Sequence, residues 1–208
     1  MNKMKNNQGN IRAIFTDIGG IFVEIDFNKF IFRCLEKSSK KEKEIRSYLE
    51  NDDLFLRYRL GKIKTKDFLH QLKSDLNFRG SLAELSSIYA EIFRPVDENI
   101  RIAKKLRQHY QLFAVSNTNF LHAKRISQLG IYNLFDRCFL SFKIGVAKPD
   151  ELIFKIVLEK TKAVVAESAF FDDGEENVKV AKRLGFKAKR VCQPGDFRNA
   201  LINLGLVI

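Results

Sequence analysis

Four short stretches of this chain carry side chains that could act together on a charged substrate. Ile11 to Thr16 is an apolar run with one arginine, and it delivers Asp17, followed by Ile18-Gly19-Gly20. Ala169-Phe170-Phe171 delivers Asp172-Asp173-Gly174 in the same manner. Leu112 to Val115 leads into Ser116-Asn117-Thr118, and Lys148 stands between Gly145-Val146-Ala147 and Pro149-Asp150. Acidic groups just past buried strands lie where open α/β sheets bind their ligands. The set offers a nucleophile, a seat for a metal, a cradle for an anion and a cation.

Each member has a functional and an ordinary reading. Asp17, backed by glycines, can attack an electrophile covalently, or it can merely cap a turn. One carboxylate of Asp172-Asp173 can face a pocket while the other assists through water, or the pair can cap the helix that starts at Glu175. Two or three converging oxygens suit magnesium better than zinc. A divalent cation would also offset the repulsion between Asp17 and Asp173. The Ser116 hydroxyl and the amides of Asn117 and Thr118 can point at an anion near a helix N-terminus, or they can form an N-cap. Lys148 is aimed by a glycine on one side and a proline on the other, so it can hold a phosphoryl oxygen and the attacking carboxylate together.

The elements that must position these groups follow from periodicity. Ile11–Thr16, Leu112–Val115, Arg137–Leu140, Ser168–Phe171 and Lys187–Val191 read as strands. Helices are expected over 99–109, 121–129 (ended by Gly130), 150–160 (with Pro149 in its first turn) and 175–184. Strands alternating with helices imply right-handed crossovers and a mainly parallel sheet. From Asp26 to about Arg94 the pattern is helical throughout, with apolar residues at 30, 31, 34 and 35, at 45, 48 and 49, at 54, 58 and 60, and at 82, 85, 88, 89, 92 and 93. Thr65 is expected to cap the helix carrying Phe68, Leu69 and Leu72. This helical stretch contains no convincing strand and reads as an insertion. Phe27, Phe30 and Phe55 are expected in its core rather than on a pocket.

The chain has 208 residues and a formal charge of +12, enough length for one good core with a small second module. The charge is consistent with drawing in anionic substrates. The basic stretches 37–46 and 179–190 are interspersed with acids and apolar residues, so they read as wetted faces, and no nucleic-acid partner is expected. No segment is apolar for long enough to span a bilayer, and the polar start, Met1–Asn10, lacks a signal-type stretch. Cys34, Cys138 and Cys192 have no metal or redox spacing, which fits a cytoplasmic protein. The expected assembly is a monomer or a homodimer.

The order strand-Asp, strand-Ser, loop-Lys, strand-Asp-Asp resembles the haloacid dehalogenase superfamily over nearly the whole chain. The matching pieces are Phe15-Thr16-Asp17-Ile18-Gly19-Gly20, Val115-Ser116-Asn117-Thr118-Asn119, Gly145-Val146-Ala147-Lys148-Pro149-Asp150, and Phe171-Asp172-Asp173 with Asn177. Val23-Glu24-Ile25-Asp26-Phe27-Asn28 is further similar to the subgroup of bacterial α-glucose-1-phosphate phosphatases. The resemblance implies a Rossmann-like α/β core at 1–22 and 95–208, with a helical type-1 cap at 23–94. It implies a magnesium-dependent phosphatase of a small phosphorylated metabolite, such as a sugar phosphate. Asp17 would be nucleophile and metal ligand, the Gly19 carbonyl and Asp173 further ligands, and Asp172 a support through water. Ser116 and Lys148 would hold the phosphoryl group, and Asn177 would lie at the edge of the site.

One departure stands out. Most phosphatases of the superfamily carry a second aspartate as general acid and base where this chain has Gly19, and losing positioned proton transfer costs about 10²–10⁴-fold. Glu24 and Asp26 are near enough along the chain to be considered as substitutes. Thr16 also replaces the usual aromatic residue, which reads as a packing change. Two rival readings follow: a non-catalytic binding or regulatory protein of this fold, and a metal-free 2-haloacid dehalogenase, which would leave Asp172-Asp173 without a purpose.

Overall fold

The computed structural model describes residues 11–50 and 52–207. Met1–Asn10, with the polar start read there, lie outside the described residues. Five strands form one parallel sheet: β1 (Ala13–Thr16), β4 (Gln111–Ser116), β5 (Arg137–Leu140), β6 (Ser168–Asp172) and β7 (Lys187–Arg190). Their spatial order is β5-β4-β1-β6-β7. All residues of β1 and β6 are buried, as are the last five of β4. Such continuous apolar runs belong to strands covered on both faces.

The two faces divide the side chains by the period of two. Phe15, Phe113, Val115 and Phe170 point to the side packed by Ile153, Phe154 and Val157 of α9 (Glu151–Thr161) and by Val178 and Ala181 of α10 (Glu175–Arg183). Ile14, Leu112, Ala114, Ala169 and Phe171 point the other way. There they meet Ile102, Ala103 and Leu106 of α6 (Asp97–Leu106) and Phe197 and Leu201 of α11 (Pro194–Asn203). The short α8 (Ser141–Ile144) packs on β5, and α7 (Phe120–Gln128) joins β4 to β5 and packs on the inserted helix of residues 82–90. Gly130 ends α7 in the left-handed conformation (φ 73°), as expected.

Between β1 and α6 the described residues make five helices: α1 (Phe27–Leu35), α2 (Glu42–Glu50), α3 (Asp52–Arg59), α4 (Thr65–Asp75) and α5 (Leu82–Ala90). Their apolar stripes share one core with the sheet face carrying Ile14. The helical reading of this stretch misses a strand. β2 (Val23–Ile25) and β3 (Phe93–Pro95) pair as an antiparallel ribbon where the chain leaves and re-enters. Three residues are too few to show alternation against helical neighbours, and the pairing partner is seventy residues away in sequence. Two start signals also differ. Thr65 is the first residue of α4, and its hydroxyl bonds the Tyr58 hydroxyl at 3.0 Å instead of capping. Asp150, not Pro149, borders α9, and its side chain accepts from the Leu152 amide. The basic stretches are laced with acids, as in Lys37–Glu84, Arg46–Glu42 and Lys179–Glu175. No helix among the described residues is long and apolar enough to cross a membrane.

Candidate active site

β1, β4 and β6 end side by side, and their C-terminal ends bring Asp17, Ser116 and Asp172 to one rim of the sheet. The Asp17 amide bonds the Phe171 carbonyl at 2.9 Å, so the first loop is stitched to β6 before it turns. Thr16 helps from beneath: buried, it donates its hydroxyl to the Asp17 carbonyl at 2.9 Å. The turn then folds back tightly, with the Phe22 amide on the Ile18 carbonyl and the Gly20 amide on the Val23 carbonyl. Gly20 sits at φ 70°, and a Cβ there would run into the Asp173 carboxylate. This glycine is what lets the two acidic loops touch.

The centre of the site is an ammonium between carboxylates. Lys148 Nζ lies 3.0 Å from Asp17 Oδ2 and 2.6 Å from Asp172 Oδ2, and the side chains of Lys148 and Asp172 are fully buried. Asp17 Oδ1 takes the Ile18 amide at 2.7 Å, which fixes the plane of its carboxylate. Asp172 Oδ1 accepts from the Gly174 amide at 2.8 Å and from Asn177 Nδ2 at 2.7 Å. Both Asp172 oxygens are therefore occupied, whereas Asp173 is exposed at the rim. Oxygens of Asp17, Asp172 and Asp173 all lie within 4.8 Å of one another.

The electrostatics follow from burial. Desolvation pushes Asp17 up to about 6; Lys148 pulls it back, and Asp172 and Asp173 push it further. Asp173 is raised by desolvation and by Asp172. Burial works against the charge on Lys148, but Asp17 and Asp172 outweigh it and hold the ammonium above its ordinary value. Three carboxylates facing one ammonium leave a surplus of negative charge. A hard divalent cation with oxygen ligands is the species that such a donor set fits.

The 117–119 loop has duties that its sequence did not show. Asn117 clamps the Lys148 backbone: its Nδ2 donates to the Lys148 carbonyl at 2.7 Å, and its Oδ1 accepts the Lys148 amide at 2.9 Å. The Thr118 amide, expected to face an anion, donates to Ser141 Oγ at 2.9 Å. Ser116 is buried at the end of β4. Asn119 caps α7 through the His122 amide and donates from Nδ2 to the Tyr89 hydroxyl and to His122 Nδ1, both at 3.1 Å. His122 Nε2 donates to the Tyr89 carbonyl at 3.1 Å, and the two rings stack at 4.3 Å. A cap residue at 119 is legible from its type; Tyr89, His122 and Ser141 carry no local signal.

Beside this loop lies a cavity of about 250 Å³, lined by Ile25, Phe27, Phe55, Tyr89, Asn119 and His122 among others. Phe30 is buried in the core as expected, but Phe27 and Phe55 line the cavity. Glu24 and Asp26 do not line it. Glu24 faces Arg94 at 3.9 Å, and Asp26 caps α1 through the Lys29 amide.

The model of the haloacid dehalogenase-like hydrolases matches residues 11–185. The chain belongs to this family. Among its relatives, a D-ribitol-5-phosphate phosphatase of Bacteroides thetaiotaomicron is 25% identical over 92% of this chain and 97% of its own. The sesquiterpene phosphatase astK of Aspergillus oryzae is 25% identical over 84% of this chain and 86% of its own. As a haloacid dehalogenase-like hydrolase, the chain also shares its fold with solved members. A family enzyme from B. thetaiotaomicron, crystallised with magnesium and inorganic phosphate, superposes with a TM-score of 0.78 at 24% identity, covering 87% of this chain and 94% of its own. A family hydrolase from Porphyromonas gingivalis gives 0.81 at 24% identity, covering 95% and 99%.

Proposed function

We propose that this hydrolase is a magnesium-dependent phosphatase that releases phosphate from a small phosphorylated metabolite through an aspartyl-phosphate on Asp17. The observation that carries the reading is the buried Lys148 ammonium held between Asp17 and Asp172, with Asp173 completing an acidic cluster. Two relatives named as phosphatases, and a fold neighbour that holds magnesium and phosphate, point the same way. A sugar or polyol phosphate is the first substrate class to try, because one relative is named for such a compound.

Asp17 attacks phosphorus in line, with its carboxylate plane held by the Ile18 amide and Lys148. Lys148 meets the charge on the phosphoryl oxygens, and Ser116, with the main chain after it, lines the same side. Magnesium, when bound, supplies the remaining positive charge. Asp17, Asp173 and the Gly19 carbonyl would hold it. Asp172 acts through Lys148 and Asn177, which fixes the ammonium. Residues 23–94 serve as the cap that chooses the leaving group, over a core of which residues 11–22 and 95–207 are described. The free cysteines suit the reducing cytoplasm.

The test is turnover of a panel of sugar phosphates and p-nitrophenyl phosphate with Mg²⁺, and its loss in Asp17→Asn. Folded protein that binds Mg²⁺ and turns over nothing would instead be a binding protein. Halide release from 2-haloacids in the presence of chelator would make it a dehalogenase.

A further inference from the structure

In-line attack by Asp17 places the leaving oxygen on the side opposite that carboxylate; the neighbouring cavity, joined to the site through Ile25 beside Gly19 and through the 117–119 loop after Ser116, is where a donor is sought. An alcohol leaves readily only if something hands it a proton. Among the described residues lining this cavity there is no carboxylate. Its histidine, His122, is fixed in one neutral form: Nε2–H is spent on the Tyr89 carbonyl and Nδ1 accepts from Asn119. Burial holds this imidazole down to about 3 and raises the Tyr89 phenol, so neither gives up a proton usefully near neutrality. The Lys148 ammonium is spanned between Asp17 and Asp172.

The place next to the nucleophile offers no donor either. A Cβ on Gly19 would lie 2.9 Å from Ile25 Cδ1, and Ile25 lines the cavity. The neighbour of that position is thus the movable end of an apolar side chain, which brings no proton to the leaving oxygen.

We propose that no group among the described residues protonates the leaving oxygen, so that the enzyme prefers phosphoryl groups carried on an acidic oxygen, acyl phosphates and phosphoanhydrides, over alkyl phosphates. This rests on the phosphatase reading above and ranks its substrates. With an acyl phosphate, the Asp17 oxygen forms a bond to phosphorus as the bond from phosphorus to the acyl oxygen breaks. The electron pair leaves on a carboxylate that needs no proton, its conjugate acid having a pKa of about 4. Water then attacks the phosphorus of the aspartyl-phosphate, the Asp17 carboxylate is restored, and both protons of the water depart on inorganic phosphate.

The experiment measures kcat/KM, which reports the step that phosphorylates Asp17. Wild-type protein with Mg²⁺ is given acetyl phosphate, methyl diphosphate, a series of aryl phosphates of graded phenol acidity, and the alkyl phosphates ribitol 5-phosphate and glucose 6-phosphate. The expected result is a steady rise with leaving-group acidity, with the alkyl esters about 10²–10⁴-fold below acetyl phosphate. Acetyl phosphate against methyl diphosphate separates the two classes of acidic oxygen. Alkyl and acyl substrates within about tenfold of each other would overturn the proposal and leave the phosphatase reading standing. No release from any member, by folded protein that binds Mg²⁺, would bring both down. As a second arm, Gly19→Asp with Ile25→Ala opens the slot and supplies a carboxylate. It should raise the ratio of kcat/KM for the alkyl esters to that for acetyl phosphate by about 10²-fold, a ratio in which any change in metal holding at residue 19 cancels. A folded double variant without that gain also overturns the proposal.

Discussion

At the strand ends, every oxygen of Asp172 and both oxygens of Asp17 have named donors, and the lysine between them has no exposed side-chain surface. Across the cleft, on the inserted helices and the ribbon that carries them, Ile25 and Phe27 are 41% and 48% exposed. One side is over-determined by short polar contacts. The other is shaped by aromatic packing, in which Phe55 stacks on Tyr89 at 6.5 Å and Phe68 tilts against it at 5.1 Å. Under the mechanism proposed above, the difference teaches that the side assigned to phosphorus tolerates almost no displacement, whereas the side assigned to the leaving group can be remodelled without dismantling the chemistry.

Five experiments sharpen or break this contrast, the largest expected effect first. Asp17→Asn removes the attacking oxygen, and phosphate release should fall by about 10⁴-fold or more while circular dichroism is unchanged. Lys148→Met leaves Asp17 and Asp172 facing each other unneutralised. It should lower kcat/KM by about 10²–10³-fold and cost about 3 kcal/mol in denaturant unfolding. The third concerns protons. The Asp17 carboxyl is lifted from 3.8 to about 6, so between those values the folded, metal-free protein keeps a proton that the unfolded chain has lost. Its contribution to stability is present at low pH and declines as pH rises through that window. Mg²⁺ must displace the same proton, so its dissociation constant by calorimetry should rise about tenfold per pH unit below about 6 and be flat above.

The smallest effects belong to the inserted helices. Asn119→Ala cuts the cap of α7 and the bonds to Tyr89 and His122, and should cost about 2 kcal/mol by thermal unfolding. Phe27→Ala should change KM for a bulky leaving group while stability moves by less than about 0.5 kcal/mol. If Phe27→Ala instead abolished turnover of small substrates, the division of labour between the two sides would fail.

Legibility in the sequence follows the same division. The sheet was readable because β1, β4 and β6 are short apolar runs, each punctuated by a polar residue at its end, and their alternation with helices constrains the topology. The acidic loops and Lys148 were readable because each is flanked by glycine or proline. What escaped were contacts between residues far apart in the chain. Asn117 grips the backbone of Lys148, thirty-one positions on, and the Ser141 hydroxyl reaches back to the Arg59 carbonyl across eighty-two. The same long reach hid the ribbon of β2 and β3. Thr118 misled for the opposite reason: a residue type suited to anion binding is equally suited to a structural bond, and the neighbour that decides, Ser141, lies beyond any local window.

The strand order has a bearing on how the protein comes into being. β1 leaves the ribosome first yet occupies the middle of the sheet, between strands that begin at Gln111 and Ser168. Until the segment beginning at Ser168 has been synthesised, one edge of that apolar strand has no neighbour, and the first carboxylate stands without Asp172 and Asp173. The nascent protein is thus exposed to misassociation until those residues join it, and the ion-paired cluster around Lys148 forms only once the segments carrying Lys148 and Asp172 have found their places beside the first strand.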